Sequence, residues 1–257
     1  MADDSSFMSP DFGLSERNFE ELNERLTPAT ENEVYLSHKN IVKNHPKMDV
    51  IVKGQVVREK KYFRNRYFYE YENGNNTRNR LLKAEKTFFG FNIYSYSGNT
   101  TKLCAKLSSN FTGTTYHLYE LEKSVPETMI VKYNMCLFGP KGPRSFCVAF
   151  GGIDNFENKS ISERWRERDL SSIIFICNKK PVFNAETNSY VLNFNGRVTM
   201  PSVKNFQLIH PQEPSYITLT FGKILSNVFV LDYQYPWNAI EAFSIAITAL
   251  DFKIGCE

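Results

Sequence analysis

The side chains that most often catalyse reactions or bind metal ions are scattered through this sequence of 257 residues. No two of the four histidines stand at the H-x-x-x-H spacing of a helical metal site. The five cysteines include no C-x-x-C pair and their number is odd, so we expect neither a disulfide framework nor a zinc site. The sequence also contains no G-x-S-x-G, P-loop or G-x-G-x-x-G motif.

Two other groups of residues have types that could support chemistry, but neither matches a catalytic arrangement. Glu120 and Glu122 would project from one face of a strand, yet no partner motif accompanies them. Gly139 and Gly142 are each followed by a proline, which favours a turn over a phosphate-binding loop. A nucleophile, a base and an oxyanion donor cannot be assembled from these residues. We therefore expect a binding protein that is not an enzyme and needs no cofactor, with a hydrolase as a minor alternative.

The charge of the chain is unevenly distributed. Residues 1–36 contain nine acidic and two basic residues, a net charge of −7, whereas residues 37–86 contain thirteen basic and five acidic residues, a net charge of +8. A basic segment of this kind favours an anionic partner. A solvated basic surface next to an acidic tail explains the same numbers, so charge alone leaves both interpretations open.

The first 46 residues differ from the rest of the chain. They are polar, acidic and interrupted by prolines, which predicts a largely disordered tail. Within the tail, residues 15–26 place three apolar side chains on one helical face and predict a short helix. Residues 47–257 then form the predicted folded domain.

Nothing in the sequence predicts export or a membrane span. The N-terminus is acidic and has no apolar run, so we expect no signal peptide. No apolar stretch reaches 18 residues, so we expect no membrane-spanning segment. With the odd number of cysteines, this pattern favours a reducing cytosol.

From Met48 onward, short apolar or alternating runs recur between turn residues, a pattern typical of β-strands. Aromatic residues make up 14% of the chain, and this enrichment also favours strands. Roughly a dozen strands at this spacing predict a barrel or a sandwich. The runs are 48–57, 62–71, 87–96, 115–121, 128–138, 145–150, 172–177, 190–194, 205–210, 215–221 and 228–235.

The hydrophobic period changes near the C-terminus. Ten of the fourteen residues in 237–250 are apolar, and the polar Glu241, Ser244 and Thr248 form one narrow stripe of a helix. Pro236 suits the first turn of such a helix. A helix that is apolar on most sides must be buried, and in a β-rich chain the simplest position is inside a barrel. We therefore expect a mainly β fold in which a closed barrel surrounds the C-terminal helix.

Several segments resemble the tubby family. They are KLSSNFTGT (106–114), GPKGPRSF (139–146), YVLNFNGRVTMPSVKNFQ (190–207) and the final 29 residues, beginning FVLDYQYPW. The similarity runs in order from about residue 48 to residue 257, and NFNGRVT followed by SVKNFQ is its most specific part. The resemblance implies a closed twelve-stranded antiparallel barrel filled by the C-terminal helix, in agreement with the pattern of strands and helix.

The resemblance also implies a function. Tubby domains bind phosphatidylinositol 4,5-bisphosphate headgroups at the inner face of the plasma membrane, and some members carry membrane proteins into cilia. We therefore expect a cytoplasmic, peripheral membrane adaptor with a phosphoinositide headgroup as its partner. Residues 15–26 are a candidate docking segment for a transport complex.

The family binds the headgroup with a Lys-x-Arg pair, which here reads Lys106-Leu107-Ser108. Lys106 is retained, but Ser108 replaces the arginine. A family asparagine aligns with Asn92, and Lys83 and Lys86 are bases close in sequence that could compensate. A further family arginine has no clean match, since Lys123 is only a neighbour of its position.

Two alternatives to lipid binding follow from the residues. In the basic segment, aromatic residues alternate with Arg64 and Arg66, which would suit single-stranded nucleic acid in a transcription regulator. Strand cores use the same aromatic residues, so we do not expect nucleic acid as the partner. The second alternative is an interaction scaffold that has lost the lipid pocket.

Overall fold

A computed structural model describes residues 38–61, 65–73, 77–134, 144–151, 159–171, 173–186 and 188–253. Its three helices are α1 (His38–Lys43), α2 (Ile161–Glu167) and α3 (Ala239–Leu250). Its strands are β1 (Gly54–Glu59), β2 (Arg66–Glu72), β3 (Arg78–Thr87), β4 (Gly90–Ser97), β5 (Thr100–Ser109), β6 (Thr115–Glu120), β7 (Glu127–Tyr133), β8 (Phe146–Gly151), β9 (Ile173–Cys177), β10 (Val182–Asn184), β11 (Ser189–Val191), β12 (Phe206–Ile209), β13 (Ile217–Leu225) and β14 (Val228–Tyr233).

Twelve of the strands form one antiparallel sheet that curls into a nearly closed barrel. Strands β1 to β9 follow one another in order, β14 pairs with β1, and β13 and β12 follow it. The two ends of the sheet meet where Asn178, just after β9, forms a β-bridge with Leu208 of β12. At this seam the Lys179 N–H also donates to the Gln207 carbonyl over 2.8 Å. The prediction of a twelve-stranded antiparallel barrel is confirmed.

Helix α3 fills the barrel. All twelve of its residues are buried. The polar stripe satisfies its own hydrogen bonds, because the hydroxyls of Ser244 and Thr248 donate to the carbonyls of Ile240 and Ile245. The apolar residues therefore contact the inner face of the sheet without leaving these hydroxyls unpaired. The prediction of a buried C-terminal helix is also confirmed.

The start of α3 differs from the sequence prediction. The helix begins at Ala239, and Asn238 is its N-cap in a capping box with Glu241. Pro236 therefore precedes the cap and does not lie in the first turn. The Asn-x-x-Glu spacing allows the two side chains to accept from two backbone N–H groups at the helix start. The sequence interpretation gave more weight to the proline than to this spacing.

The predicted run 87–96 spans a turn. Strand β3 ends at Thr87, Phe88 and Phe89 form a two-residue turn, and β4 begins at Gly90. The residues of β3 before Thr87 were not predicted as a strand, because its outward side chains are mostly charged and its apolar content is low.

Helix α1 packs onto the domain although it precedes the predicted boundary at residue 47. Its Ile41 and Val42 are buried in the main core. The Lys43 ammonium pairs with Glu122 in the turn after β6. The predicted helix over 15–26 lies outside the described residues.

The cysteine prediction needs one correction. Cys147 of β8 and Cys177 of β9 lie directly opposite each other, with their Cα atoms 4.0 Å apart, and form a disulfide. Thirty positions separate them in sequence, and only the strand register brings them together, so no spacing motif could reveal the pair. Across the described ranges, no helix is long and apolar enough to cross a bilayer.

Candidate functional site

Three of the five predicted site residues lie together on the outer face of the sheet. Asn92 of β4 and Lys106 of β5 are directly opposite each other. Ser108 lies two residues further along β5, so it projects from the same face as Lys106. The burial pattern of β5 agrees, because Lys106 and Ser108 are exposed and Leu107 between them is buried. The register therefore assembles an ammonium, an amide and a hydroxyl within one small area.

Gly90 packs closely against the backbone of β5 beside Ser108. The two residues are direct partners on β4 and β5. Gly90 has a φ of 108°, and a Cβ there would lie 1.8 Å from the carbonyl oxygen of Leu107. Only glycine is compatible with this close approach. The β4 partner of Ser108 therefore carries no side chain, and its backbone is buried against β5.

Strand β6 supplies the opposite border of the site. Tyr119 is the direct partner of Lys106, and His117 is the direct partner of Ser108. The His117 Nδ1 lies 2.8 Å from a carboxylate oxygen of Glu127. Ser162 of α2 donates to the same carboxylate through both its backbone N–H and its hydroxyl. This edge of the site is thus fixed by an interaction that also holds α2 against the barrel.

Lys106 stands out among the basic residues of this face. Its side chain is exposed, and it has no ion pair among the residues that the structure describes. An ammonium without a carboxylate partner keeps its full charge available for an anion. Lys106 is therefore the strongest single candidate for contact with a phosphate group.

Lys83 lies on the same outer face but is engaged by a carboxylate. Its Nζ is 3.2 Å from Glu85, which also accepts from Arg66 at 3.2 Å. Glu85 is the direct partner of Asn92 on the neighbouring strand. The three side chains carry a net charge of one positive, so this cluster favours an anion near Asn92 only weakly.

Lys86 is turned towards the barrel interior. It is the direct partner of the buried Phe91, and its Nζ lies 2.6 Å from both carboxylate oxygens of Asp251. Asp251 also accepts from the Tyr116 hydroxyl over 3.0 Å. Because Asp251 is the C-cap of α3, this lysine anchors the end of the central helix. The structure thus separates Lys86 from Lys106, Ser108 and Asn92.

The other bases near the predicted site are also engaged. Arg78 pairs with Glu72, and Arg80 pairs with Glu70. Lys123 lies near the start of α3, where its Nζ is 2.7 Å from Glu120. Burial raises the pKa of the Glu120 carboxyl, and the nearby Glu241 adds to this rise. Lys123 therefore neutralises buried acids near the start of the helix and does not contribute to the Lys106 face.

Three consecutive aromatic residues of the basic segment are unavailable for stacking on bases. Tyr67, Phe68 and Tyr69 are all buried, with at most 4% of each side chain exposed. Phe68 is covered by the guanidinium of Arg80, which lies 4.1 Å from its ring centroid. Stacking on nucleic acid needs accessible ring faces, so these residues do not support the nucleic-acid alternative.

No group of three or more metal-binding side chains occurs within the described ranges. The arrangement around Lys106 offers a point charge and neutral donors. Such a set of groups can bind an oxyanion, but it includes no activated nucleophile.

Comparison with known proteins identifies the family. The model of the Tub family matches residues 42–252, which is most of the chain. This chain belongs to the Tub family. The proteins named king tubby from Drosophila sechellia and Drosophila melanogaster are each 38% identical to it over 178 residues. The king tubby protein of Drosophila grimshawi is 37% identical over the same length.

The match to these Tub family relatives is partial. It covers 63% of this chain and about 40% of the length of the relatives. The match to the family model begins at residue 42, within α1, whose Ile41 and Val42 pack into the main core.

The Tub family motif led to Lys106, Ser108 and Asn92, but it did not reveal their setting. Gly90 was not singled out, although a glycine between two aromatic residues in a strand run signals a close backbone approach. The pairing of Lys83 and Lys86 with carboxylates depends on strand register and on the position of α3. Neither could be read from local sequence.

Proposed function

We propose that this Tub family domain binds a phosphoinositide headgroup, of the phosphatidylinositol 4,5-bisphosphate type, on the outer face around Lys106. The observation that carries the proposal is the exposed Lys106 ammonium, which has no carboxylate partner among the described residues and lies beside Asn92. A lysine is a strong point charge for a phosphate, and an amide or hydroxyl can complete the contact with neutral hydrogen bonds.

The role that follows is that of a peripheral adaptor at the cytoplasmic face of the plasma membrane. In this role the domain would recruit membrane-protein cargo, with traffic towards cilia as the family precedent. Residues 15–26 are the proposed contact for a transport partner. Binding without catalysis is consistent with the chemistry available around Lys106.

The test is co-sedimentation with phosphatidylcholine vesicles that either contain or lack phosphatidylinositol 4,5-bisphosphate. We expect binding only to the vesicles with the phosphoinositide, and we expect it to weaken as salt increases. Lys106→Ala should weaken binding roughly 10- to 150-fold, the equivalent of one lost charged hydrogen bond.

Lys102→Ala is the matched control, because Lys102 is an exposed lysine on the same strand that already pairs with Glu122. It should bind like the unmodified protein. If Lys106→Ala binds as tightly as Lys102→Ala, the headgroup does not bind at this face. Loss of vesicle binding on addition of excess DNA would instead favour the nucleic-acid alternative.

A further inference from the structure

Three exposed phenylalanines are found near the Lys106 face. Phe88 is 88% exposed in the turn between β3 and β4, and Phe111 is 81% exposed in the turn between β5 and β6. Phe252, just after α3, is 66% exposed. Exposing a phenyl ring to water costs free energy, and burying the ring in an apolar environment recovers that free energy.

Backbone contacts bring the three segments together. The Ser109 N–H donates to the carbonyl of Phe89 over 3.4 Å, which joins the first turn to the end of β5. A Cβ on Gly113 would lie 2.4 Å from the carbonyl oxygen of Phe252, so that segment packs directly on the second turn. The aromatic tips, defined here as Phe88, Phe89, Phe111 and Phe252, therefore share one end of the barrel.

The strand order explains why this end is distinctive. In an antiparallel meander, alternate turns lie at the same end, so the turns after β1, β3 and β5 are neighbours. The β3–β4 and β5–β6 turns contain exposed phenylalanines and no charged residue, whereas the β4–β5 turn at the other end, Gly98-Asn99, contains no aromatic residue.

Positive charge surrounds the aromatic tips. Lys60 and Lys61 are exposed in the connection after β1. Lys132 is exposed on β7 directly opposite Thr115, which lies at the end of the β5–β6 turn. Uncharged aromatic tips bordered by lysines complement an anionic phospholipid surface, with lipid headgroups beside the lysines and acyl chains beside the rings.

The spacing fits a bilayer. Phe89 is three residues from Asn92, so at about 3.3 Å per residue the turn lies roughly 10 Å along β4 from the proposed headgroup site. Side chains of membrane-surface proteins reach about 5–10 Å into the boundary between headgroups and acyl chains. A headgroup held at Lys106 would thus place the aromatic tips at the depth of the upper acyl chains.

We propose that Phe88 and Phe111 insert into the bilayer beside the bound headgroup, so that this domain recognises a phosphoinositide within a membrane and binds the free headgroup much more weakly. The proposal rests on the proposed function for the orientation of the barrel at the membrane. The aromatic tips supply a contribution to affinity that does not depend on salt, and Lys106 supplies the contribution that does.

The experiment compares vesicles with soluble inositol 1,4,5-trisphosphate as ligands for the full chain. The double variant Phe88→Ala/Phe111→Ala should lose at least tenfold in affinity for vesicles that contain phosphatidylinositol 4,5-bisphosphate. Its affinity for the soluble headgroup and the salt dependence of its vesicle binding should be unchanged. Phe183→Ala is the matched control, because Phe183 is 51% exposed but lies on the separate β10–β11 sheet.

Lys106→Ala, measured in parallel, separates the two proposals. Equal vesicle affinity for the double variant and the Phe183→Ala control would overturn insertion, and a loss on Lys106→Ala would then leave the headgroup site standing. If instead only the double variant loses vesicle affinity and Lys106→Ala is silent, the aromatic tips insert but the headgroup site is not at Lys106. If both variants bind as the unmodified protein does, both proposals fail.

Discussion

At the residue scale, the distinction between paired and unpaired charge decides which bases can bind a ligand. Lys83 and Lys86 each contact a carboxylate, whereas Lys106 contacts none within the described part of the chain. Breaking an ion pair to bind a phosphate costs part of the energy that the new contact provides. We therefore do not expect the two paired lysines to replace the arginine that Ser108 displaces.

A substitution at Ser108 tests this reasoning directly. Ser108→Arg restores a planar, charged donor next to Lys106, at an exposed position whose β4 partner, Gly90, has no side chain. A charged hydrogen bond is worth about 1–2 kcal/mol more than a neutral one, so headgroup binding should tighten roughly 5- to 30-fold. Vesicle binding at two salt concentrations measures the change.

Val182→Arg is the control for Ser108→Arg, because it adds the same charge at an exposed position on the separate β10–β11 sheet. Only the substitution at Ser108 should tighten binding. If Ser108→Arg and Lys106→Ala both leave the affinity unchanged, the Tub family membership carries the fold but not the ligand.

Glu127 gives a prediction about acid stability. Burial raises the pKa of this carboxyl, but hydrogen bonds from His117 and from Ser162 outweigh burial and hold the pKa at about 2. Because the folded pKa is below the ordinary value, the stabilisation is present above about pH 4.5 and is lost as pH falls towards 2. Glu127→Gln should lower the Tm at neutral pH and flatten its fall in acid.

Thermal melts followed by circular dichroism between about pH 2 and pH 7 measure this effect. Glu186→Gln, at an exposed position in the β10–β11 turn, should leave the pH profile of the unmodified protein intact. The same acid dependence in Glu127→Gln and in the unmodified protein would show that this carboxylate is not responsible.

The residue scale also shows the reach of sequence reasoning. Lys106, Asn92 and Ser108 were singled out from a family motif, which is a local signal, and the structure brings all three to one outer face. The ion pair between Lys86 and Asp251 joins positions 165 apart in the chain. Such a contact follows from where α3 ends inside the barrel, which no local pattern specifies.

At the element scale, α3 acts as the core of the barrel. The inner faces of the strands are lined with aromatic rings that pack around this helix, as when Tyr69 lies 6.1 Å from Phe243 between ring centroids. In the described sheet, closure around α3 leaves β9 and β12 as the two ends, and these are joined by a bridge. A sheet without free edges resists association with other chains.

Phe243→Ala tests the contribution of this helix to stability. Phe243 is fully buried, so removing its ring should lower the free energy of unfolding by about 3–5 kcal/mol. Denaturation in guanidinium chloride measures the loss. Phe183→Ala, which removes an exposed ring, should cost less than about 1 kcal/mol, and an equal cost for the two variants would contradict a core position for Phe243.

The elements that sequence reasoning found are those with a strong hydrophobic period. Helix α3 and strands such as β7 and β13 can be recognised in the sequence by their apolar content. Strand β3 was missed because its outer face is charged, and its pairing with β2 and β4 is what makes it a strand. The disulfide between Cys147 and Cys177 was missed for a related reason, since it depends on the pairing of β8 with β9.

At the scale of the whole molecule, the seam between β9 and β12 is the least extensive strand pairing in the barrel, because one β-bridge connects the two ends of the sheet. Asn178 strengthens it from within, because its Oδ1 accepts from the Phe146 N–H over 2.8 Å and its Nδ2 donates to the Arg144 carbonyl over 3.1 Å. The side chain thus ties the first residue of β8 to the residue that bridges to Leu208.

Asn178→Ala should destabilise the protein by about 1–3 kcal/mol, since it leaves the part-buried Phe146 N–H without its acceptor. Asn178→Asp keeps the acceptor for the Phe146 N–H but places a carboxylate oxygen against the Arg144 carbonyl, so it should also destabilise the protein. Hydrogen exchange provides the local measurement, with faster exchange expected at the Phe146 amide in the alanine variant. Unchanged exchange there would mean that the seam does not depend on this side chain.

The position of α3 in the chain has a consequence for synthesis. The ribosome delivers all fourteen strands before the helix that fills them, and about 200 residues separate the start of β1 from the end of α3. At roughly 5–20 residues per second, about 10–40 s pass between the synthesis of β1 and the synthesis of the helix that fills the barrel. During that interval the aromatic inner faces of the nascent sheet have nothing to pack against. We therefore expect the nascent chain to need a chaperone or to collapse slowly around a temporary core. The completed barrel needs neither.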